Sequence, residues 1–228
     1  PRSTLTTSSA ALDVYKRQSG PRILLWFDLV NNQDSSNGKS PMGSLVEMNQ
    51  NPEFEVRAMG SYVQKSGCPE DAYTALGEDR VNELCYNECY NPSDERKKIT
   101  RIEVIRVWPQ EYINQPIDER IEDAWLVHDC NADEIGCRFT FTDPDFSDMQ
   151  SDVSYYARAI EEPSPIINVK GAHCIFDEEG NCSEFKICTQ DWKNPRDLEA
   201  CTSIDEPRAW SSPIYPVSYT HLRAHETL

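Results

Sequence analysis

Thr100–Trp108, TRIEVIRVW, decides the fold class. A period of two sends Ile102, Val104 and Arg106 to one face and Arg101, Glu103, Ile105 and Val107 to the other, as in a β-strand. Pro109 ends the run, because it has no N–H to give a ladder. Upstream, Phe54–Met59 (FEVRAM) alternates in the same way and reads as a half-buried strand, and Arg22–Val30 is a short apolar run rich in β formers. Downstream, Arg138–Thr142 and Val153–Ile160 read as strands joined by the turn-rich DPDFSD. Ala209–Tyr215 reads as a last, edge strand, since Pro213 lacks a ladder donor. Between these runs, Asn31–Met42 is polar and rich in Gly, Ser and Asn, which predicts a loop. Pro69–Glu88 carries Ala, Leu and Glu at helical spacing behind a proline, which predicts a helix. Strands without regularly intervening helices predict a mainly β, antiparallel, sandwich-like module with one or two short helices and long loops. No internal repeat is evident.

The two ends of the chain share one DNA element. Asp13–Gln18 (DVYKRQ) back-translates to GATGTGTATAAGAGACAG, and the reverse complement of that string, in its third frame, encodes the Val217–His221 segment VSYTH. The element is identified as a transposon end used to build sequencing libraries. Residues 1–18 and 217–228 are therefore read as translated adapter, expected to be disordered and set aside before fold reasoning. The natural sequence is then 19–216, expected to be the C-terminal β-rich region of a larger protein truncated on its N-terminal side. This exclusion removes His221 and His225, whose four-residue spacing imitates a zinc pair on a helix. His128 and His173 remain.

About 200 residues suffice for one ordinary domain, or a domain and part of another. The chain carries 39 acidic against 22 basic residues, a net charge of −17. Such an excess opposes nucleic acid and anionic membranes, since phosphate contacts need Lys and Arg. No stretch reaches the roughly 18 apolar residues of a membrane span; the best, Ile23–Val30, is short and contains Asp28.

The nine cysteines are Cys68, Cys85, Cys89, Cys130, Cys137, Cys174, Cys182, Cys188 and Cys201, and none forms Cys-x-x-Cys. They sit in loop-like contexts and are all candidate disulfide partners, which places the chain in an oxidising compartment, periplasmic or secreted. Closures such as Cys130–Cys137, Cys174–Cys182 and Cys188–Cys201 would each staple a loop, worth roughly 2–4 kcal/mol. Cys68, Cys85 and Cys89 then leave one odd thiol.

Motifs that carry chemistry are weak. Asn37-Gly38-Lys39-Ser40 ends like a phosphate-binding loop, but Gln33 stands where its first glycine belongs and Pro41 follows, so a plain loop is preferred. Asp143, Asp145 and Asp148 crowd three carboxylates together, yet lack the glycine and terminal Glu of a calcium loop; a solvated turn is preferred. His128 with Cys130 and Cys137 lacks a fourth zinc ligand. No residue emerges as catalytic, cofactor-binding or metal-binding. Trp125 or Trp192, exposed, would give a sugar platform, although packing is the commoner fate of tryptophan.

Four segments in order, SPMGSLVEM at Ser40–Met48, RIEVIRVW at Arg101–Trp108, TDPDFSDMQSDVSYYARAIEEPSP at Thr142–Pro165 and RAWSSPIY at Arg208–Tyr215, carry a resemblance. Together they resemble the C-terminal part of a bacterial domain-of-unknown-function family related to PHP-type (polymerase and histidinol phosphatase) metal-dependent hydrolases. The resemblance implies an α/β barrel upstream that holds a divalent metal and cleaves ester or phosphoester bonds. It implies no catalytic residue and no cofactor in this segment, whose partner would be that upstream domain of the same chain. The cysteines set it apart from the family pattern and put the substrate class in doubt. An exported carbohydrate- or protein-binding module and a purely structural domain are the alternatives.

Overall fold

The computed structural model describes residues 22–85, 89–131, 134–148, 152–167, 174–185 and 202–217. In chain order the strands begin with β1 (Leu24–Leu29), β2 (Ser40–Pro41), β3 (Leu45–Glu47), β4 (Glu53–Met59), β5 (Tyr62–Gln64) and β6 (Pro92–Arg96). They continue with β7 (Ile99–Val107), β8 (Ile121–Asp129), β9 (Cys137–Thr142), β10 (Ser154–Glu161) and β11 (Ser164–Ile167). The last five are β12 (Cys174–Phe176), β13 (Cys182–Phe185), β14 (Thr202–Asp205), β15 (Arg208–Trp210) and β16 (Tyr215–Val217). Two short helices, α1 (Glu70–Leu76) and α2 (Glu78–Cys85), lie between β5 and β6. The architecture is thus mainly β, as the alternating runs predict.

The chain divides into two compact units. The first takes in the described parts of 22–61, 98–161 and 208–217 and is an antiparallel sandwich. One sheet has the order β2-β1-β4-β9 and the other β15-β10-β7-β8. β1 alternates as a sheet face requires: Leu25, Phe27 and Leu29 point into the core while Trp26 faces out. The core is aromatic where the sheets meet. Phe54 of β4 lies 5.2 Å from Phe27, 5.1 Å from Phe141 and 4.9 Å from Tyr155 of the opposite sheet, centroid to centroid.

β7 is buried on both faces, with Ile102, Glu103, Val104, Ile105 and Arg106 all inside. It is an inner strand of its sheet, paired with β10 on one side and β8 on the other. β4 departs from the half-buried expectation in a similar way. Glu55, on its polar face, is only 4 % exposed, because Arg138 and Lys39 close over it. Burial alone would raise the Glu55 carboxyl, but the hydrogen bond and charge of Arg138, aided by Lys39, hold it below its ordinary value of 4.5.

The stretch expected as one terminal strand is two. β15 pairs with β10 as the sheet edge, the chain breaks at Ser211–Pro213, and β16 then pairs with β3 in parallel. Gly43 donates to the Pro213 carbonyl across this break. Val217, the first residue of the adapter reading, continues β16, and its carbonyl accepts from Met48 N–H. At this residue the disorder expected from 217 onward is not seen. Residues 1–18 and 218–228 lie outside the described residues.

Gly136 opens β9 with φ +91°, and a Cβ there would stand 2.7 Å from the Ala58 carbonyl oxygen of β4. Replacement Gly136→Ala is expected to cost about 1–3 kcal/mol, through left-handed strain and displacement of that strand. A thermal melt of the variant within 1 °C of the parent would count against this close approach.

The second unit comprises the described parts of 62–97 and 162–207. It is built from two-stranded ribbons: β5 with β6, β11 with β14, and β12 with β13, all antiparallel. The single helix expected over Pro69–Glu88 is interrupted at Gly77, whose φ of +79° ends α1 before α2 begins. Arg96 stacks over the Tyr62 ring at 3.8 Å. Among the described residues no helix is long and apolar enough to cross a membrane.

Candidate functional site

Arg106, the last inward residue of β7, is the most heavily engaged charge of the sandwich. Its neighbour β8 bulges opposite it: Val104 pairs with Leu126, but Arg106 pairs with Glu122. The extra residues are taken up at Asp123–Trp125, where Ala124 adopts φ +54°, a region an alanine enters only under constraint. This bulge re-aims Glu122 and Trp125 toward the guanidinium. Arg106 Nε donates to Glu122, and Nη1 donates to Asp143 Oδ2 at 2.8 Å. The guanidinium sits 4.6 Å from the Trp125 ring and 5.0 Å from the Trp108 ring.

Asp143 is fully buried and satisfied from three sides. Besides Arg106, the Tyr155 hydroxyl donates to it at 2.6 Å and the Asp145 N–H at 3.0 Å. Desolvation would lower the Arg106 pKa, but its hydrogen bonds to Glu122 and Asp143 and their charges outweigh this and raise it. Burial, then the hydrogen bond and charge of Asp143, push the Tyr155 phenol well above its ordinary 10.0. Burial and Asp123 push Tyr156 in the same direction.

A phenol raised in the folded state keeps its proton longer there than in the unfolded chain, so its contribution is full below about pH 10 and declines above it. Stability is therefore expected to fall from pH 10 upward, and Tyr155→Phe to make that fall shallower, leaving the Tyr156 part. Urea midpoints between pH 8 and 11 measure this; identical slopes for parent and variant would refute it.

Two further ion-pair sets sit on the outer faces of the sheets. Glu103 of β7 accepts from Arg101 and Arg158, and Arg158 also donates to Asp123. Glu55 accepts from Arg138 and Lys39. Carboxylates and guanidinium groups in these sets are engaged with one another in the sheets.

An open cleft of about 320 Å³ lies between the chain leaving β1 and the chain entering β4. Asn31 fixes its wall: Nδ2 donates to the Asn51 carbonyl and Oδ1 accepts from Glu53 N–H. Gln50 donates to the Asn31 carbonyl, and Gln33 donates to Gln50 Oε1. Asp34, Glu47, Met48 and Asn49 complete the lining.

The cysteines divide as follows. Cys68 bonds to Cys89 and Cys130 to Cys137. Cys182 is disulfide-bonded, and Cys85 at the end of α2 is a free thiol, so the odd member of the first three is Cys85. The Cys174 side chain, Cys188 and Cys201 lie outside the described residues, as do His173 and Trp192.

The Asp143–Asp148 turn is solvated at Asp145 and Asp148, as expected, but Asp143 turns inward to Arg106. Among the described residues no three His, Cys, Asp or Glu side chains gather as a metal cluster. His128 stacks on Phe139 at 4.4 Å instead of facing a ligand set. Asn37–Ser40 forms a turn between β1 and β2, with Asn37 Oδ1 accepting from Lys39 N–H and no helix following. Trp125 packs at 6.0 Å from both Phe141 and Tyr155 under Arg106, which withdraws it from a sugar platform. No family model matches the chain, and no curated protein and no solved structure matches it.

Proposed function

We propose that this chain is the supporting, non-catalytic C-terminal module of an exported PHP-like metal-dependent hydrolase acting on ester or phosphoester bonds. Its partner is an upstream metal-bearing domain of the same polypeptide. The observation that carries this reading is where the four family-like segments meet. β7, β10 and β15, which hold three of them, are neighbours in one sheet. The fourth, Ser40–Met48, contains β3, and it joins the Arg208–Tyr215 segment through the β3–β16 pair and the Gly43–Pro213 hydrogen bond. Segments scattered along the sequence thus form one hydrogen-bonded body, as a module with its own fold would.

The disulfides support export, since such bonds persist in oxidising compartments. The buried Arg106–Asp143–Tyr155 set supports a structural role, because these groups bond to one another inside the sandwich.

The test is to extend the source DNA upstream of Ser19 and express the complete reading frame. The expected frame carries an export signal and a His-x-His with further His, Asp or Glu ligands. The purified protein is expected to hydrolyse bis(4-nitrophenyl) phosphate when supplied with manganese or zinc. A frame without such ligands, or a protein inert with either metal, would overturn the hydrolase reading.

A further inference from the structure

We propose that the cleft between the β1–β2 and β3–β4 connections is a binding site for a neutral saccharide. Its volume of about 320 Å³ is that of a small-ligand pocket, enough for one or two sugar rings. Chemistry narrows the class. The lining residues include the amides of Asn31, Asn32, Gln33, Asn49 and Gln50 and the carboxylates of Asp34 and Glu47, with no basic side chain among them. An anion such as a phosphate or a uronate would meet two carboxylates and no cation, in a chain already at −17. No aromatic ring lines the cleft, so a nucleobase has nothing to stack on. Vicinal hydroxyl groups, by contrast, match planar amides and carboxylates, which pair with two donors or acceptors at once.

The amides are also held in place. Asn31 is fixed by Asn51 and Glu53, and Asn32 donates to Ser40 Oγ at 2.7 Å while its own oxygen accepts from Asp34 N–H. The Gln33–Gln50 contact at 3.2 Å bridges the two walls. A rim fixed by main-chain bonds loses less freedom when a ligand arrives. Met48 is the apolar member of the lining, and the polar members face the edges of a pyranose. Such a site belongs to a module that tethers its protein to a glycan, and it does so without the tryptophan platform that the sequence brought to mind.

The experiment uses the full chain, with isothermal titration and proton–nitrogen NMR against cello-, xylo-, manno- and chito-oligosaccharides of two to four rings. At least one saccharide is expected to bind with a Kd of millimolar or tighter and to shift the side-chain amide signals of Gln33 and Gln50. The double variant Gln33→Ala/Gln50→Ala, both residues being exposed, is expected to weaken that saccharide tenfold or more while its thermal midpoint stays within 2 °C of the parent. Asp34→Ala serves as a second, independent variant and is expected to weaken it at least threefold. Absence of binding to every saccharide by the folded parent would overturn the proposal. So would binding that survives all three substitutions, or a preference for spermidine over every sugar, which would mark the carboxylates as a cation site. The hydrolase reading stands or falls on the upstream frame, so either proposal can fail without the other.

Discussion

Asp143→Ala is expected to cost about 3–5 kcal/mol of folding stability, because it strands the Arg106 guanidinium and the Tyr155 hydroxyl inside the sandwich. Breaking a buried pair is expensive not for the attraction lost but for the desolvated charge left without a counter-charge. Glu122 would still hold one edge of the guanidinium, although at 39 % side-chain exposure it is partly in water and screened. Two further variants separate this account from a simple packing defect. Tyr155→Phe removes one hydrogen bond and is expected to cost about 1 kcal/mol. The double change Arg106→Met/Asp143→Leu removes both charges and is expected to cost less than Asp143→Ala alone. Equilibrium unfolding in urea at pH 7 measures all three. If the double variant proves the least stable, the cluster contributes through its ion pair, and the desolvation argument fails.

Phe54→Ala is the second large loss, about 3–5 kcal/mol. Phe54 is fully buried, and its ring is the meeting point of Phe27, Phe141 and Tyr155. Alanine leaves a cavity bounded by residues of both sheets, which cannot close without moving one sheet toward the other. Phe54→Leu is expected to lose distinctly less, since it keeps most of the apolar volume. The readouts are the denaturation midpoint and near-ultraviolet dichroism, because loss of the stack also relaxes Trp125. A loss under 1 kcal/mol would mean that the core is held elsewhere.

What was legible in the sequence follows the range of the interactions concerned. β4 and β7 are readable because burial on a sheet face imposes a two-residue period on neighbours in the chain, and β1 is readable as a short apolar run rich in β formers. β8 was missed. IEDAWLVHD breaks its alternation at the Ala124 bulge, which lies opposite Arg106 on the next strand. Asp143 departs from its turn for the same cause: three aspartates in a turn imply solvent, and only the fold brings Arg106 and Tyr155 to this one. The helix over Pro69–Glu88 was placed but not divided, although Gly77 was in view. Which of Cys68, Cys85 and Cys89 stays free was beyond spacing, since three cysteines so close allow any pair. The amide cleft left no trace because its walls, Asn31–Asp34 and Glu47–Gln50, become neighbours only when β1 and β4 pair Leu29 with Phe54.

The parallel ladder between β3 and β16 bears on the order in which the molecule is made. A polypeptide emerging amino end first, from a ribosome or a translocation channel, has β3 ready long before β16 exists. β15, the edge beside β10, arrives almost as late. The sandwich can therefore gain its full cooperativity only after nearly the whole segment is released, and contacts so distant in sequence make that step slow. Until then the open side of β10 and the Leu45–Glu47 strand are unprotected templates for intermolecular pairing. Oxidation is not so delayed: the Cys130–Cys137 link spans seven positions and the Cys68–Cys89 link twenty-one, and each joins residues synthesised close together. The topology thus has a built-in sequence of events, local crosslinks first and closure of the β-sandwich last.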